Sequence, residues 1–313
     1  MVKCKGSSLP LQRVITDFGA DSSYGETIKK IKEHYGIEIS FFTVQKVTRK
    51  HAQQFILFKS QTTSKKQTTI ISQTDGSMVP IIETEGKAKD KRKNRKAIWK
   101  EARLSFARGK DENQRYYAGI IGSAEKAGEK MMECALLAGM KEGTYVHGVI
   151  DGAPWIGEQF KLKFSNRGNY LIDFFHMCEY LSKASIWFSI SEKDKWQKEA
   201  QEKLKTGRHK ELFEEIKSRI DNLEVKDASS GIIECYHYME KRLEHINYKI
   251  ALDKGLPIGS GEIESSHRSV IQKRLKIAGA WWKVENANAM LHLRINRFNG
   301  YWEEYWQLQR AVA

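Results

Sequence analysis

The sequence predicts an α/β protein in which helices flank a sheet of mixed strand direction. Strand-like segments occur between residues 68 and 175, and residues 25–54 repeat their apolar side chains at helical spacing. Residues 176–250 are heavily charged and carry few strand signals, which indicates a long helical stretch. The chain has 313 residues, 40% of them hydrophobic and 29% charged. It is therefore long and apolar enough for a sizeable core, which excludes the disordered class.

Two short helices are predicted near the N-terminus. The first contains Ile28 and Ile31 and ends at Gly36, a residue suited to a helix C-cap. The second contains Val44 and Val47 and carries three cations, Lys46, Arg49 and Lys50. Two helices around a glycine-bearing turn suggest a helix-turn-helix whose second helix contacts DNA. An ordinary helical hairpin with a solvated basic face fits the pattern equally well.

The strands of the predicted sheet follow this segment. Residues 68–84 predict two strands that meet at Asp75-Gly76, because Asp-Gly is a strong hairpin-turn signal. The further predicted elements are a strand at 96–109, a helix at 123–139, and strands at 144–150 and 169–175 joined by a short connection. Residues 255–261 predict a loop, and the remainder is helical with a break at Asn299-Gly300.

The charge balance favours a polyanionic partner, with nucleic acid as the first candidate. The formal net charge is +14, and cations concentrate in Lys87–Lys96 and in His267–Lys276. No apolar run is long enough for a membrane helix, and the N-terminus lacks the apolar core of a signal peptide. The four cysteines form no CxxC pair, which favours reduced thiols. We therefore expect a cytoplasmic, nucleoid-associated protein with no membrane partner.

Three carboxylates stand where predicted elements begin or end. Asp75 and Asp151 each close a predicted strand, and Glu264 lies early on a helix for which Ser260 is the predicted N-cap. Three such carboxylates can hold two divalent cations about 4 Å apart, and oxygen ligands favour Mg²⁺ or Mn²⁺. Each acid also has a purely structural interpretation. The aspartates could belong to turns, and Glu264 could pair with Arg268 one helical turn later.

Four segments together resemble a known class of enzyme. TDGSMVPIIE, VIDGAPWI, LIDFFHMCEYL and GSGEIESSHRSVIQKRLKIAGAWW resemble, in that order, the DDE transposases of bacterial insertion sequences in the Mutator-like superfamily, Kra-type group. The likeness runs from about Ser8 to Trp306, and the last segment is its most specific part. It implies a ribonuclease H-like core with an all-helical insertion. It also implies that Asp75, Asp151 and Glu264 are catalytic acids that bind two Mg²⁺ or Mn²⁺ ions.

The resemblance also implies an organisation and a set of partners. The expected parts are a helix-turn-helix-like segment at 1–60, the first part of the core at 65–175, the helical insertion at 176–255 and the rest of the core at 256–313. The expected activity is cleavage at transposon ends and strand transfer into target DNA. The partner is double-stranded DNA, which a homodimer or larger assembly would bind. The cations expected to contact DNA are Lys46, Arg49, Lys50, Arg268, Lys273 and Arg274.

Asp173 and His176 interrupt an apolar run and match the [Cys/Asp]-x-x-His signature that follows the second acid in Mutator-like transposases. One interpretation makes His176 a buried hydrogen-bond donor to a metal-binding carboxylate, with Asp173 near the catalytic rim. The other is a structural Asp–His pair that satisfies itself within the core. Members of the group often have a longer N-terminal region. A shortened, non-catalytic DNA-binding regulator is therefore an alternative function, and a ribonuclease H-like nuclease is another.

Two further choices concern neighbouring side chains. Glu262 and Glu264 lie about 200° apart on a helix, so only one can face the aspartates. Glu262 is expected to face solvent, and Glu264 the border of the apolar stripe. Among the C-terminal aromatic residues, Trp302 and Trp306 are expected to pack, while Trp281 could pack or stack on unpaired bases.

Overall fold

The computed structural model describes residues 6–62, 64–84, 95–187, 190–221 and 231–312. Cys4 and most of the basic run, residues 87–94, lie outside these ranges. The strands are β1 (Thr69–Thr84), β2 (Arg95–Gly109), β3 (Tyr116–Ile121), β4 (Tyr145–Ile150) and β5 (Gly168–Ile172). The helices of the first half are α1 (Leu9–Asp21), α2 (Tyr24–Tyr35), α3 (Phe41–Leu57), α4 (Ala124–Leu137) and α5 (Pro154–Phe164).

The helices of the second half are α6 (Phe174–Ala184), α7 (Ile190–Lys205), α8 (His209–Asp221), α9 (Gly231–Glu240), α10 (Lys249–Asp253), α11 (Gly261–Ser266), α12 (Lys273–Leu275), α13 (Val284–Phe298) and α14 (Trp302–Val312). A π-helical segment, His267–Gln272, joins α11 to α12 without a break. The predicted loop before Gly261 and the predicted break at Asn299-Gly300 are both confirmed. None of the helices in the described ranges combines the length and apolar character needed to cross a membrane.

The five strands form one mixed sheet in the order β3-β2-β1-β4-β5. β2 runs antiparallel to β1 and to β3, whereas β4 runs parallel to β1 and to β5. The predicted α/β class, a mixed sheet flanked by helices, is therefore confirmed. The parallel pair β4 and β5 is buried almost throughout, as expected for strands covered on both faces.

The predicted hairpin at Asp75-Gly76 is wrong, because β1 is continuous through this dipeptide. β2 pairs with β1 from Ile70 opposite Gly109 to Thr84 opposite Arg95, and Asp75 lies opposite Leu104 within this ladder. The long partner strand overrides the local turn signal of Asp-Gly. The third antiparallel strand is β3 instead, which the sequence did not indicate.

The predicted short connection between the last two strands is also wrong. It contains α5, followed by a short 3₁₀ turn, Ser165–Arg167. Parallel strands need a crossover of a dozen or more residues, which a helix commonly supplies. Pro154 stands in the first turn of α5, where its missing N–H costs nothing.

The helical region α6–α10 shares a hydrophobic core with the sheet. Phe160 of α5 and Tyr170 of β5 belong to the same buried cluster as Leu181 of α6, Met239 of α9 and Tyr248. Since one cluster spans both parts, the helical region packs on the β4–β5 side of the sheet as an extension of the same body.

α3 belongs to two hydrophobic clusters at once. Its first half contributes Val44 and Val47 to a cluster with Ile15 of α1 and Ile31 of α2. Its second half contributes Phe55, whose ring stacks on that of Tyr305 with a centroid distance of 3.8 Å. The N-terminal unit thus has three helices, because α1 packs with the two that the sequence predicts.

The C-terminal aromatic residues hold the second half of α3. The rings of Phe55 and Trp302 are stacked with centroids 5.9 Å apart, and Trp306 lies 4.6 Å from the ring of His51. Trp306 is 1% exposed. The expected packing role of Trp302 and Trp306 is confirmed.

A buried arginine fixes α1 to the C-terminal half of the chain. Arg294 of α13 is 1% exposed, and its guanidinium donates to the carbonyl oxygens of Ala20, Ser269 and Val270 and to the carboxylate of Asp21. Every nitrogen therefore has an acceptor, which a buried charge requires.

We expect Arg294→Met to lower the free energy of unfolding by about 3 kcal/mol, because it strands three carbonyl groups and one carboxylate. Arg297→Met is the matched control, since Arg297 pairs with Asp17 nearer the surface, and its loss should cost about 1 kcal/mol or less. Urea denaturation of both variants measures the difference. Equal destabilisation would contradict the assignment of Arg294 as the main link.

Candidate functional site

The register of the sheet brings Asp75 and Asp151 to the same level. β1 and β4 are parallel, with Thr69 opposite Tyr145 and Gln73 opposite Val149. Two residues further along each chain stand Asp75 and Asp151. Asp75 lies inside a strand rather than at its end, but it stands just beyond the last β1–β4 pair. The two aspartates therefore share the rim at which β4 ends.

The turn after β4 is held from outside by the helical region. Gly152 has φ +93°, a conformation that suits glycine, and a Cβ there would stand 2.4 Å from the Tyr238 hydroxyl. That hydroxyl donates to the Asp151 carbonyl at 3.1 Å, and Arg242 Nη2 donates to the Gly152 carbonyl at 2.7 Å. The Asp151 side chain in turn accepts the Ala153 N–H at 2.9 Å. Helix α9 thus sets the position of the second acid.

The buried side chain of Gln73 docks the start of α11 on the sheet. The Gln73 amide donates to the Gly259 carbonyl at 3.0 Å and accepts the Ile263 N–H at 3.1 Å. Glu264 follows directly, and its Oε1 accepts the Ser260 hydroxyl at 3.2 Å. Since Gln73 lies two residues before Asp75 on β1, the third acid is tied to the strand that carries the first.

The charges of the other two acids act on Asp75. Burial, together with the negative charges of Asp151, Glu264 and Glu101, raises the pKa of Asp75 to about 6, against the hydrogen bond from the Gly76 N–H. Asp151 and Glu264 therefore lie close enough to Asp75 for their charges to affect it. Glu101 of β2, which the sequence did not single out, acts on Asp75 as well.

His267 also faces Asp75, and the sequence gave only its position beside Glu264 on the helix. Its Nε2 lies 3.6 Å from Asp75 Oδ2, and its residue is 3% exposed. Neither ring nitrogen has a hydrogen-bond partner among the described residues. Burial lowers the pKa of His267 to about 4, so the imidazole is neutral near pH 7. It opens the π-helical segment, a feature that is frequent at functional sites.

The expectation that Glu262 faces solvent is wrong. Its carboxylate accepts Arg108 Nη2 at 2.9 Å and Arg115 Nε at 2.8 Å, and these guanidinium groups lower its pKa against the effect of burial. Two arginines thus compensate the charge of Glu262. Glu264 is the more exposed of the two glutamates and is the one that acts on Asp75.

The interpretation of Asp173 and His176 as a buried side-chain pair is wrong. β5 ends at Ile172, and Asp173 is the N-cap of α6, where its Oδ1 accepts the His176 backbone N–H at 2.6 Å. The His176 side chain is 37% exposed, and its Nδ1 lies 3.5 Å from Glu179. Its ring therefore serves no core pair and contacts none of the three acids' carboxylates in the described hydrogen bonds.

Asp173 itself lies close to the site. Its Oδ2 accepts the Ser260 N–H, and its own N–H donates to Ile150, the residue before Asp151, at 2.7 Å. Through its backbone N–H and its side chain, Asp173 thus connects the end of β4 to the residue whose hydroxyl binds Glu264. This position agrees with a supporting role for Asp173, which stays a prediction.

The cations predicted to bind DNA fall into two groups. Lys46, Lys50 and Arg268 are exposed, and Lys273 is exposed with its Nζ 3.2 Å from Asp21. Arg49 is half-buried. Their role stays a prediction.

Arg274 needs correction, because it is 3% exposed and its Nε donates to the Gly19 carbonyl at 2.8 Å. Its guanidinium also lies over the rings of Tyr24 and Trp282. It therefore fastens α1 and is not available to DNA.

The acids match a hard divalent cation in their chemistry and charge. All three donors are carboxylates, the ligands that Mg²⁺ and Mn²⁺ prefer. Within the described residues, no group of three or more His, Cys, Asp or Glu side chains is placed so that it could hold a metal ion.

The crowding of acids predicts a pH-dependent stability. Because the pKa of Asp75 is raised from 3.8 to about 6, the folded protein keeps a proton there that the unfolded chain releases, so stability falls as pH rises through this window. We expect Asp75→Asn, in EDTA, to raise the free energy of unfolding by about 1–2 kcal/mol at pH 7.5 and by less at pH 4.5. Urea denaturation at both pH values measures this. Glu142→Gln, at an exposed site, is the control, and a gain that does not depend on pH would contradict the explanation.

Comparisons with known proteins give one family and one distant structural likeness. No curated protein matches the chain. Six chains of solved structures match, among them one from the Drosophila P element transposase strand transfer complex, at 10% identity and a TM-score of 0.34, over 98% of this chain and 81% of that chain. At this TM-score the likeness supports no functional argument. Residues 43–309 match the model of UPF0236, described as an uncharacterised protein family, so the chain belongs to UPF0236.

Proposed function

We propose that the chain is a DDE-type DNA transposase of the kind found in bacterial insertion sequences of the Mutator-like superfamily, Kra-type group. The observation that carries the proposal is that the charges of Asp151 and Glu264 both act on the carboxyl group of Asp75. These acids come from β1, from the end of β4 and from α11, and they are far apart in sequence. If these acids served only in turns and helix caps, the fold would not require Asp151 and Glu264 to lie near the half-buried carboxyl group of Asp75.

The topology supports the same function. The order β3-β2-β1-β4-β5, with β2 alone antiparallel to its neighbours, is the arrangement expected of a ribonuclease H-like core. The stretch of helices α6–α10 between the second and third acids is compatible with the helical insertion that the sequence resemblance implies. The assignment to this superfamily rests on the four sequence segments, and the fold is compatible with it.

The reaction is the hydrolysis of a phosphodiester bond at a transposon end, followed by attack of the freed 3′-hydroxyl on target DNA. Asp75, Asp151 and Glu264 would hold two Mg²⁺ or Mn²⁺ ions, and such ions, when bound, stabilise charge on the attacking and leaving oxygens. The chain itself positions the carboxylates. Gln73 and Ser260 hold Glu264 near β1, and Tyr238 fixes the backbone of Asp151. The buried environment of Asp75 strengthens any interaction with a cation, because water screens it less.

Duplex DNA as the partner is supported by the net charge of +14 and by exposed cations on α3. Lys46 and Lys50 are exposed and lie outside the cluster formed by Val44 and Val47, so both can contact phosphates, and Lys50 also donates to Gln12 Oε1 at 3.4 Å. Phe41 and Phe42 at the start of α3 are exposed as well, at 46% and 78%. An assembly of two or more copies on DNA remains part of the proposal.

The decisive test is cleavage of DNA taken from both flanks of the gene, as 5′-labelled duplexes of about 100 base pairs, with Mg²⁺ or with EDTA. We expect the full chain to cut at a fixed position, and Glu264→Gln to lower the rate at least 100-fold, because one acid of the three is lost. Joining of the cut end to a supercoiled plasmid separates a transposase from a nuclease. Binding without any cleavage would leave the non-catalytic regulator.

Glu262→Gln is the matched control for this test. It removes a neighbouring charge on the same helix that Arg108 and Arg115 already compensate, so cleavage should stay within about fivefold of the original rate. Thermal melting shows whether each variant remains folded. If Glu262→Gln abolishes cleavage and Glu264→Gln does not, the third acid has been assigned wrongly.

Binding to duplex DNA should weaken steeply with salt, since contacts to phosphates release counterions. Between 50 and 200 mM NaCl we expect affinity to fall at least 100-fold, measured by fluorescence anisotropy. Substituting Lys46 and Lys50 together by Gln should make this dependence shallower. If the dependence of affinity on salt does not change, the cations of α3 face solvent only and do not contact DNA.

A further inference from the structure

An exposed row of aromatic side chains crosses the outer part of the β1–β2 ribbon. Pro80 of β1 lies opposite Trp99 of β2. On the other edge of β1, Trp282 forms a parallel bridge with Ile81, donating its N–H to Pro80 and accepting the N–H of Ile82. Trp281 precedes Trp282 and so stands beside Pro80. We call Trp99, Pro80 and Trp281 the aromatic row.

The alternation of side chains places the row on one face. Ile81 and Trp282 are 0% and 6% exposed and belong to the core. Their neighbours in sequence must therefore point to the opposite face. Trp99 is 59% exposed and Trp281 47% exposed. Trp99 and Trp281 thus flank Pro80, which is itself buried, and the two tryptophan rings are exposed.

The exposure of these side chains demands an explanation. Seven other aromatic residues pack around α3 and α14, namely His51, Phe55, Phe58, Tyr301, Trp302, Tyr305 and Trp306. An exposed apolar patch with a polar rim commonly marks a binding surface. Met78, 46% exposed on the same face of β1, extends the row toward the acids.

The charged side chains around the aromatic row favour a negatively charged partner. Arg95 of β2, Lys276 and Lys283 are exposed nearby in the chain. The acids of the ribbon are compensated, since Glu83 pairs with Lys100 at 2.6 Å and Glu101 pairs with Arg103 at 2.8 Å. This surface combines flat aromatic rings with net positive charge.

We propose that the aromatic row binds unpaired nucleotides of DNA, with Trp99 and Trp281 stacking on bases. Stacking requires that the face of a base be accessible, which holds for a single strand and not for the interior of a duplex. The cations compensate the negative charge of the phosphates between the stacked bases. This inference rests on the proposed function, and it adds the residues and the form of DNA that they recognise.

The row lies on the same strand as Asp75 but on the other face of the sheet. Pro80 is five residues beyond Asp75 on β1, about 17 Å at the rise of a β-strand, and an odd number of residues directs the two side chains to opposite faces. Arg103, opposite Gly76, lies on the face of the row, where its guanidinium pairs with Glu101 at 2.8 Å and stands 4.5 Å from the Trp155 ring. DNA held at the row and DNA held at Asp75 would thus contact opposite faces of β1.

The test compares a fluorescein-labelled duplex of 30 base pairs with the same duplex bearing a tail of ten thymidines. The full chain is used at constant salt in EDTA, so that no cleavage is needed, and anisotropy gives Kd. We expect the tailed DNA to bind more tightly than the duplex. Trp99→Ala and Trp281→Ala should each weaken tailed-DNA binding about tenfold and leave duplex binding within twofold. Trp99→Phe should retain most of the affinity, because a phenyl ring still stacks.

Trp187→Ala is the matched control, because Trp187 is 46% exposed in the helical region far along the chain from the row. It should leave both affinities unchanged. If the double variant Trp99→Ala, Trp281→Ala still prefers tailed DNA, or if it loses duplex and tailed binding equally, the inference is overturned. A change of mass in analytical ultracentrifugation without loss of tail affinity would show a contact between copies instead. Failure of the unmodified chain to bind either DNA would overturn the proposed function itself.

Discussion

The site depends on how the segment before α11 docks on the strand ends. Gln73 and Asp173, both buried, satisfy the backbone of Gly259, Ser260 and Ile263, which would otherwise be unpaired groups in the core. The bonds of Gln73 connect residues 186 and 190 positions apart in sequence, and the bond of Asp173 to Ser260 spans 87 positions. They fix where the helix begins, and therefore where Glu264 stands relative to Asp75. Without them the third acid would have no defined relation to the sheet.

The gathering of acids stores unfavourable energy, which other contacts must offset. Asp75 is half-buried beside carboxylates, and His267 contributes an imidazole without a hydrogen-bond partner in the described part of the chain. Both features cost stability and neither improves packing. Structural demands do not explain such a cluster, whereas sites that bind or stabilise charge are commonly built this way. The compensated pair of Glu262 with two arginines, on the same helix, shows how this protein treats an acid that is only structural.

The sequence predicted the class of fold and most helices because these depend on local periodicity. Gly36 as a C-cap, the α13–α14 break and the loop before Gly261 all follow from residues whose effect is local. The prediction from sequence was wrong where pairing with another strand determines the local structure. The Asp75-Gly76 dipeptide has the composition of a turn, and only pairing with β2 makes it a strand interior.

The residues of the candidate site also divide into those that could be predicted from the sequence and those that could not. The positions of Asp151 and Glu264 at element ends could be predicted, since strand and helix limits follow from the chain itself. The exposure of His176, the burial of Arg274 and the ion pairs of Glu262 could not, because each depends on residues distant in sequence, such as Gly19, Arg108 and Arg115. Glu101 had no signal at all, since an acid on an alternating strand usually marks its solvated face.

The continuity of α3 through two hydrophobic clusters has a mechanical consequence. The helix has no hinge between Val44, which packs with α1 and α2, and Phe55, which packs with the C-terminal aromatic residues. DNA bound by the first half of α3 would therefore lie at a fixed distance and angle from Asp75. The spacing between a recognised sequence and a cut would then be set by helix length, at about 1.5 Å per residue. Inserting one residue in α3 would rotate its first half by about 100° relative to its second half. DNA bound by the first half would then no longer have the same orientation relative to the acids.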